Sequence, residues 1–243
     1  MGAGAPMSVL KLWPGAVVVC IGCGPSLAPA DVEQVRRARE LGEGHIRVIA
    51  INAAVRLAPW ADARYAHHAD DWCRPEDREL LAAFRGLRYC AEDRGALYGA
   101  EVLAMSGATG LELENRGAVR HGKNSGYQAI NVAVHLGARR IVLLGYDLQR
   151  EPATRALHFY ACGRPLDDTP DFKRWSALFA TLVAPLAEID VDVFNASRAT
   201  TLTTFPRIAL EDALAAAIGE ACLAKAMRAP WAPGAPALRG DWR

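Results

Sequence analysis

Short apolar runs that stop on a polar turn and restart in helical register recur along this chain, and that alternation constrains its fold more than any other feature. "VVVCI" stops on Gly22-Cys23-Gly24-Pro25-Ser26, "IRVIAI" on Asn52, and "RIVLL" on Gly145-Tyr146-Asp147. Strands covered on both faces read as continuous apolar runs, and parallel strands need crossovers between them. The pattern therefore predicts an α/β fold: a single doubly wound, mostly parallel, Rossmann-like sheet with helices on both faces. Strands are expected at Ala16–Ile21, Ile46–Ile51, 64–67, Leu87–Cys90, 140–144 and 191–194. A helix is expected over "PEDRELLAAFRG", from Pro75 to its stop at Gly86. In "FKRWSALFATLVAPL" the residues Phe172, Trp175, Phe179, Leu182 and Leu186 recur at helical spacing, as do Leu210, Leu214, Ile218 and Cys222.

Two stretches fit neither element. Residues 93–124 are rich in Gly and charge, and residues 146–170 make a long polar connection after "RIVLLG". Long connections inside a compact domain are usually active-site loops, so 146–170 is read as a lid. The expected layout is an N-terminal extension over 1–15, one domain over 16–227, and a Pro/Gly-rich tail over 228–243.

Composition limits the partners. With 28 Lys+Arg against 27 Asp+Glu, the formal charge of +1 gives no global reason to expect nucleic acid or an acidic membrane, although a local basic groove stays open. The six cysteines, at 20, 23, 73, 90, 162 and 222, are scattered like reduced small hydrophobes and point to the cytoplasm. No apolar run approaches the ~18 residues of a membrane span, and Pro14 and Gly15 interrupt what a signal sequence would need. A homo-oligomer is left open.

In an open parallel sheet, ligands bind outside the carboxyl ends of the strands. The turns at 22–26, Asn52, 67–71 and 145–147 each follow an expected strand, and together they make a pocket. Any such sheet also turns on Gly, Pro, Asn and Asp for structural reasons alone. The first turn is not a dinucleotide fingerprint, because Leu27 stands where the third Gly belongs and strand two ends on Asn52 instead of an acidic residue. What remains is a cradle of backbone amides and the Ser26 hydroxyl at a helix start. Residues 117–124 fit G-x-x-x-x-G-K but put Asn124 where Mg²⁺ needs a hydroxyl, although Lys123 and the helix start at Ser125 still suit a phosphate.

Cys20 and Cys23 read as core packing, since Ser26 stands where a redox turn needs its second thiol. His67, His68, Asp70 and Asp71 include metal-ligand types but do not assemble four ligands locally. His158, in the lid beside Phe159 and Tyr160, is either a surface histidine or a general base over the pocket.

Three blocks in order, "IGCGPSL", "VIAIN" and "NSGYQAINVAVHLGARRIVLLGYDLQ", resemble the bacterial sialyltransferases that decorate lipooligosaccharide. The chain is also similar to the 6-hydroxymethylpterin diphosphokinase-like family with its motility accessory factors, and to phage and prophage proteins that share a closing segment like "FPRIALEDAL". The first resemblance implies a metal-independent glycosyltransferase with a CMP-type nucleotide-sugar donor, a glycan or small-molecule acceptor, and no obligatory cofactor. It places the nucleotide on Gly22, Gly24, Pro25, Ser26, Asn52, Ser125 and Gly126, with Cys23 where that family has Asn and Asp147 closing the third block. His158 would be the base and Tyr160 the phosphate contact, with Tyr146 a further lid tyrosine. The second resemblance implies an ATP-dependent diphosphokinase acting on a small hydroxymethyl compound, with Asp70, Asp71 or Asp147 engaging Mg²⁺. The third implies a non-catalytic binding protein.

Overall fold

The computed structural model of the protein describes residues 8–161 and 170–228. Residues 1–7 of the expected extension, 162–169 of the expected lid with Cys162, and the tail from 229 onward lie outside the described residues.

The strands are β1 (Ala16–Ile21), β2 (Ile46–Ile51), β3 (Ala63–Ala66), β4 (Leu87–Cys90), β5 (Glu101–Val102), β6 (Ala104–Gly107), β7 (Ala118–Arg120), β8 (Ala138–Leu144) and β9 (Asp192–Asn195). Seven of them form one sheet in the order β5-β4-β3-β2-β1-β8-β9, and every neighbouring pair is parallel. The helices are α1 (Pro29–Leu41), α2 (Arg78–Ala83), α3 (Ser125–Leu136), α4 (Phe172–Ala180), α5 (Val183–Glu188) and α6 (Leu210–Arg228). The doubly wound α/β architecture is therefore as expected.

Alternation along β1 shows how the sequence builds two faces. Val17, Val19 and Ile21 pack with Val32 and Val35 of α1, Leu81 of α2 and Leu214 of α6. Val18 and Cys20 point the other way, toward Ile130 and Ala133 of α3, Phe179 of α4 and Leu186 of α5. Each fully buried Val or Ile contributes ~1.5–3 kcal/mol of transfer free energy, which explains why this strand tolerates no polar residue. The order of winding reverses between β1 and β8, and their carboxyl ends open the crevice where such sheets hold ligands.

The structure corrects several local expectations. Strand three is Ala63–Ala66, so His67 lies beyond it instead of within it. The segment from Pro75 opens as a 3-10 turn, Pro75–Asp77, and α2 ends at Ala83 rather than running to Gly86. The single helix expected over 172–186 breaks into α4 and α5 at Thr181. Pro185 has no N–H to continue the ladder, and the Thr181 hydroxyl donates back to the Leu178 carbonyl at 2.7 Å. Within 93–124 lie a 3-10 turn, Asp93–Tyr98, the edge strand β5, and a separate two-stranded parallel sheet of β6 and β7. Residues 146–161, the described part of the long connection after β8, contain no helix or strand. Among the described residues no helix is long and apolar enough to cross a membrane.

Candidate functional site

A cavity of about 310 Å³ opens at the carboxyl edge of the sheet. Its walls take residues 22–25 after β1, Asn52 after β2, His68, Asp71 and Arg74 after β3, 123–126 at the start of α3, and 145–149 after β8. Leu157, His158 and Tyr160 of the connection after β8 line one side, and Phe172, Trp175 and Phe179 of α4 add an aromatic wall. All four polar turns singled out in the sequence thus contribute to one cavity.

Hydrogen-bond accounting changes the role of the first turn. The Gly22 amide donates to the Leu144 carbonyl (2.7 Å), Gly24 to Gly145 (2.8 Å), and Ser26 to Asp147 Oδ2 (2.7 Å). These amides join the β1 loop to the β8 loop instead of cradling an anion. A Cβ on Gly22 would meet the Gly145 carbonyl oxygen at 2.7 Å, and one on Gly24 would meet Asp147 Oδ1 at 2.2 Å. The glycines are required because two backbones touch. Ser26 is absent from the cavity wall. Its hydroxyl accepts from the Ala199 amide (3.3 Å), and helix α1 opens three residues later, at Pro29. The start of α1 is itself occupied by Asp31, which accepts from the Ala28 amide and pairs with Arg198 at 2.6 Å.

The start of α3 is the helix end that faces the cavity. Asn124, the residue that spoiled the phosphate-loop motif, is its cap: Oδ1 accepts from the Gly126 amide (2.8 Å) and the Tyr127 amide (3.3 Å). Replacing Asn124 by Ala is expected to lower stability by about 1 kcal/mol, seen in urea unfolding as a lower midpoint at unchanged slope. Gly122 and Lys123 precede the cap with positive φ, and a Cβ on Gly122 would lie 2.0 Å from Tyr127 Cδ1. Lys123 reaches the cavity with no ion-pair partner among the described residues. Tyr146 is buried and its hydroxyl donates to the Gly126 carbonyl (3.1 Å), so it pins the β8 loop to α3.

Asn52 sits at φ +50, a conformation Asn tolerates, and its Oδ1 is buried without a partner. Its carbonyl accepts from Arg64 Nε (3.1 Å), and Arg64 Nη2 reaches the Asp71 carbonyl (2.6 Å). Arg64 is buried with its guanidinium 4.1 Å from the Trp72 ring centre, and desolvation pulls its pKa down to about 10. The sequence showed Arg64 only as a strand residue, and a charge in a run read as buried was the one available signal. Asp147 is buried as well. Oδ1 has no partner, and burial pushes its carboxyl up to about 6.

Cys23 does not present its thiol to the cavity as a ligand group. Sγ donates to the Ile51 carbonyl (3.2 Å), and burial raises its pKa to about 12, so it is neither a thiolate nor a redox partner of Cys20 across the sheet. Asp70 and Asp71 diverge: Asp70 is exposed and pairs with Arg94 (2.8 Å), whereas Asp71 pairs with Arg74 (2.6 Å). Among the described residues no three His, Cys, Asp or Glu side chains converge as a metal site.

The connection after β8 is tied to the first turn. The Phe159 amide donates to the Cys23 carbonyl (3.2 Å), His158 stacks on Tyr160 with ring centres 5.3 Å apart, and Arg56 covers Tyr160 at 4.9 Å. Arg56 is anchored in turn by the buried Asp77 (2.7 Å). No protein-family model matches this chain and no curated protein matches it in sequence, so its chemistry has to be read from this fold and this cavity.

Proposed function

We propose that the protein is a transferase that uses a nucleotide-activated donor, a sialyltransferase-like glycosyltransferase with a CMP-type nucleotide sugar. The observation that carries this reading is the convergence on one cavity of residues 22–25, Asn52, Ser125, Gly126 and Asp147 with the lid residues His158 and Tyr160. The aromatic wall of Phe172 and Trp175, whose rings meet edge to face at 5.6 Å, suits a planar base or a sugar face. Lys123 and the positive end of α3 supply the charge that a departing phosphate needs, and Tyr160 supplies a hydroxyl. Arg94 and Arg74 already neutralise Asp70 and Asp71, which weakens the diphosphokinase reading in which they hold Mg²⁺. The acceptor's proton goes to an imidazole of the cavity wall, and His158 is the position the family resemblance supplies.

Thermal unfolding with CMP, CMP-sialic acid, UDP-sugars and ATP, each with and without Mg²⁺, tests the reading. A ligand at about a hundred times its Kd stabilises by about 2.7 kcal/mol, roughly 5–10 °C for a domain of this size. CMP and CMP-sialic acid are expected to do so without Mg²⁺. Stabilisation by ATP with Mg²⁺ alone supports the diphosphokinase reading instead, and no response to any ligand supports a non-catalytic protein.

A further inference from the structure

His68, an imidazole of the cavity wall, has a carboxylate behind it. His68 Nδ1 lies 2.9 Å from Glu92 Oε1, while Glu92 Oε2 accepts from the Ala69 amide at 2.8 Å. Glu92 belongs to the turn after β4, so a tertiary contact sets the pair, and both carboxylate oxygens are fixed. His68 and then the Ala69 amide hold the Glu92 carboxyl below the usual range, which keeps it an anion at neutral pH.

A carboxylate accepting from Nδ1 selects the tautomer protonated there and leaves Nε2 as the basic nitrogen. The His68 side chain is 65% exposed and forms part of the cavity wall, so that nitrogen is open to a bound acceptor. The other ionisable groups nearby are His67, whose ring meets His68 edge-on at 4.6 Å, and His121, 5.2 Å beyond His67. The pairs Asp71–Arg74 and Asp70–Arg94 stand on the same turn.

Resting on the transferase reading above, we propose that His68 is the base that takes the acceptor's proton and that Glu92 is its positioning residue. The acceptor O–H proton moves to His68 Nε2 as the acceptor oxygen bonds to the anomeric carbon of the sugar. The bond from that carbon to the phosphate oxygen breaks, and its electron pair leaves with the nucleotide. The imidazolium then returns its proton to water. His68 fulfils the requirement that a base be held in one tautomer and one direction by a third group, the logic of nucleophile–base–orienter sites.

The test uses the full chain, CMP-sialic acid as probe donor, and release of CMP as readout. His68→Ala is expected to lower kcat about 100-fold or more with the donor KM unchanged, and imidazole in solution is expected to restore part of the rate. Glu92→Gln is expected to lower kcat about 10-fold. In nitrogen-15 histidine spectra of the neutral wild-type chain, His68 is expected to carry its proton on Nδ1, and Glu92→Gln to abolish that preference. A His68→Ala chain with wild-type kcat overturns the proposal, as does rate loss and imidazole rescue at His158→Ala but not at His68→Ala. A His68 protonated on Nε2 overturns the pairing whatever the activity. A wild-type chain that releases no CMP overturns the transferase reading, and the role of His68 with it, while the spectra still report whether the pair exists.

Discussion

Gly24→Ala is expected to destabilise the protein by about 3 kcal/mol or more and to remove any stabilisation by nucleotide. The added Cβ would lie 2.2 Å from Asp147 Oδ1, 2.5 Å from its Cγ and 2.7 Å from the Gly145 carbonyl oxygen. The carbonyl oxygen is backbone, and the Asp147 carboxylate, though the end of a short side chain, is buried and cannot swing freely. Asp147 is held by the Ser26 amide, and Gly145 by the Gly24 amide itself. Relief therefore requires the β1 and β8 loops to part, which breaks both bonds and opens the cavity wall. Gly219→Ala in α6 is the control: nothing lies within 4 Å of its added Cβ, so a gain of about 0.5–1 kcal/mol is expected from helix propensity. Urea unfolding of both variants, with CMP binding followed in parallel, decides the matter. A Gly24→Ala chain as stable as wild type would show that the two loops are not in contact in solution.

This contact also marks the limit of what could be read in the sequence. The apolar runs gave β1, β2 and β4 to the residue, because strands buried on both faces leave a periodicity that no neighbour can mask. The turns after them were legible as one edge, and they do meet in one cavity. What the glycines touch was not legible. A Gly-x-Gly turn reads alike whether its backbone approaches a phosphate or another loop, and here the loop after β8 fills the space. For the same reason Ser26 reads as a helix opener although the helix begins at Pro29. The small sheet of β6 and β7 escaped because β7 is three residues long and too short to show a period. His68 and Glu92 are 24 residues apart, and no spacing rule links residues that meet only because β3 and β4 are neighbours.

Asp147→Asn is expected to raise stability at neutral pH by about 2–3 kcal/mol and to leave it unchanged in acid. The buried carboxyl titrates at about 6 in the folded chain against 3.8 ordinarily, so folding favours its protonated form. A group raised in this way contributes stability that is fully present below about 3.8 and is lost as pH rises through about 6. The difference is worth about 3 kcal/mol, at about 1.4 kcal/mol for each pKa unit. Asn is nearly isosteric, keeps an oxygen for the Ser26 amide and carries no charge to bury. Other carboxylates, among them Asp62 with Arg39 and Arg47, move the absolute stability the opposite way in acid, so the difference between variant and wild type is the quantity to follow. That difference is expected to be near zero at about pH 3 and to reach its full size by about pH 7.5, and a flat difference would refute the account. The ionised carboxylate persists in the folded protein at neutral pH with Oδ1 unpartnered, a cost that a bound ligand removes by donating a hydrogen bond there. Stabilisation by CMP is therefore expected to grow with pH across the titration in the wild-type chain and to be weaker in Asp147→Asn. The substitution that makes the empty protein more stable is thus expected to make it the poorer binder.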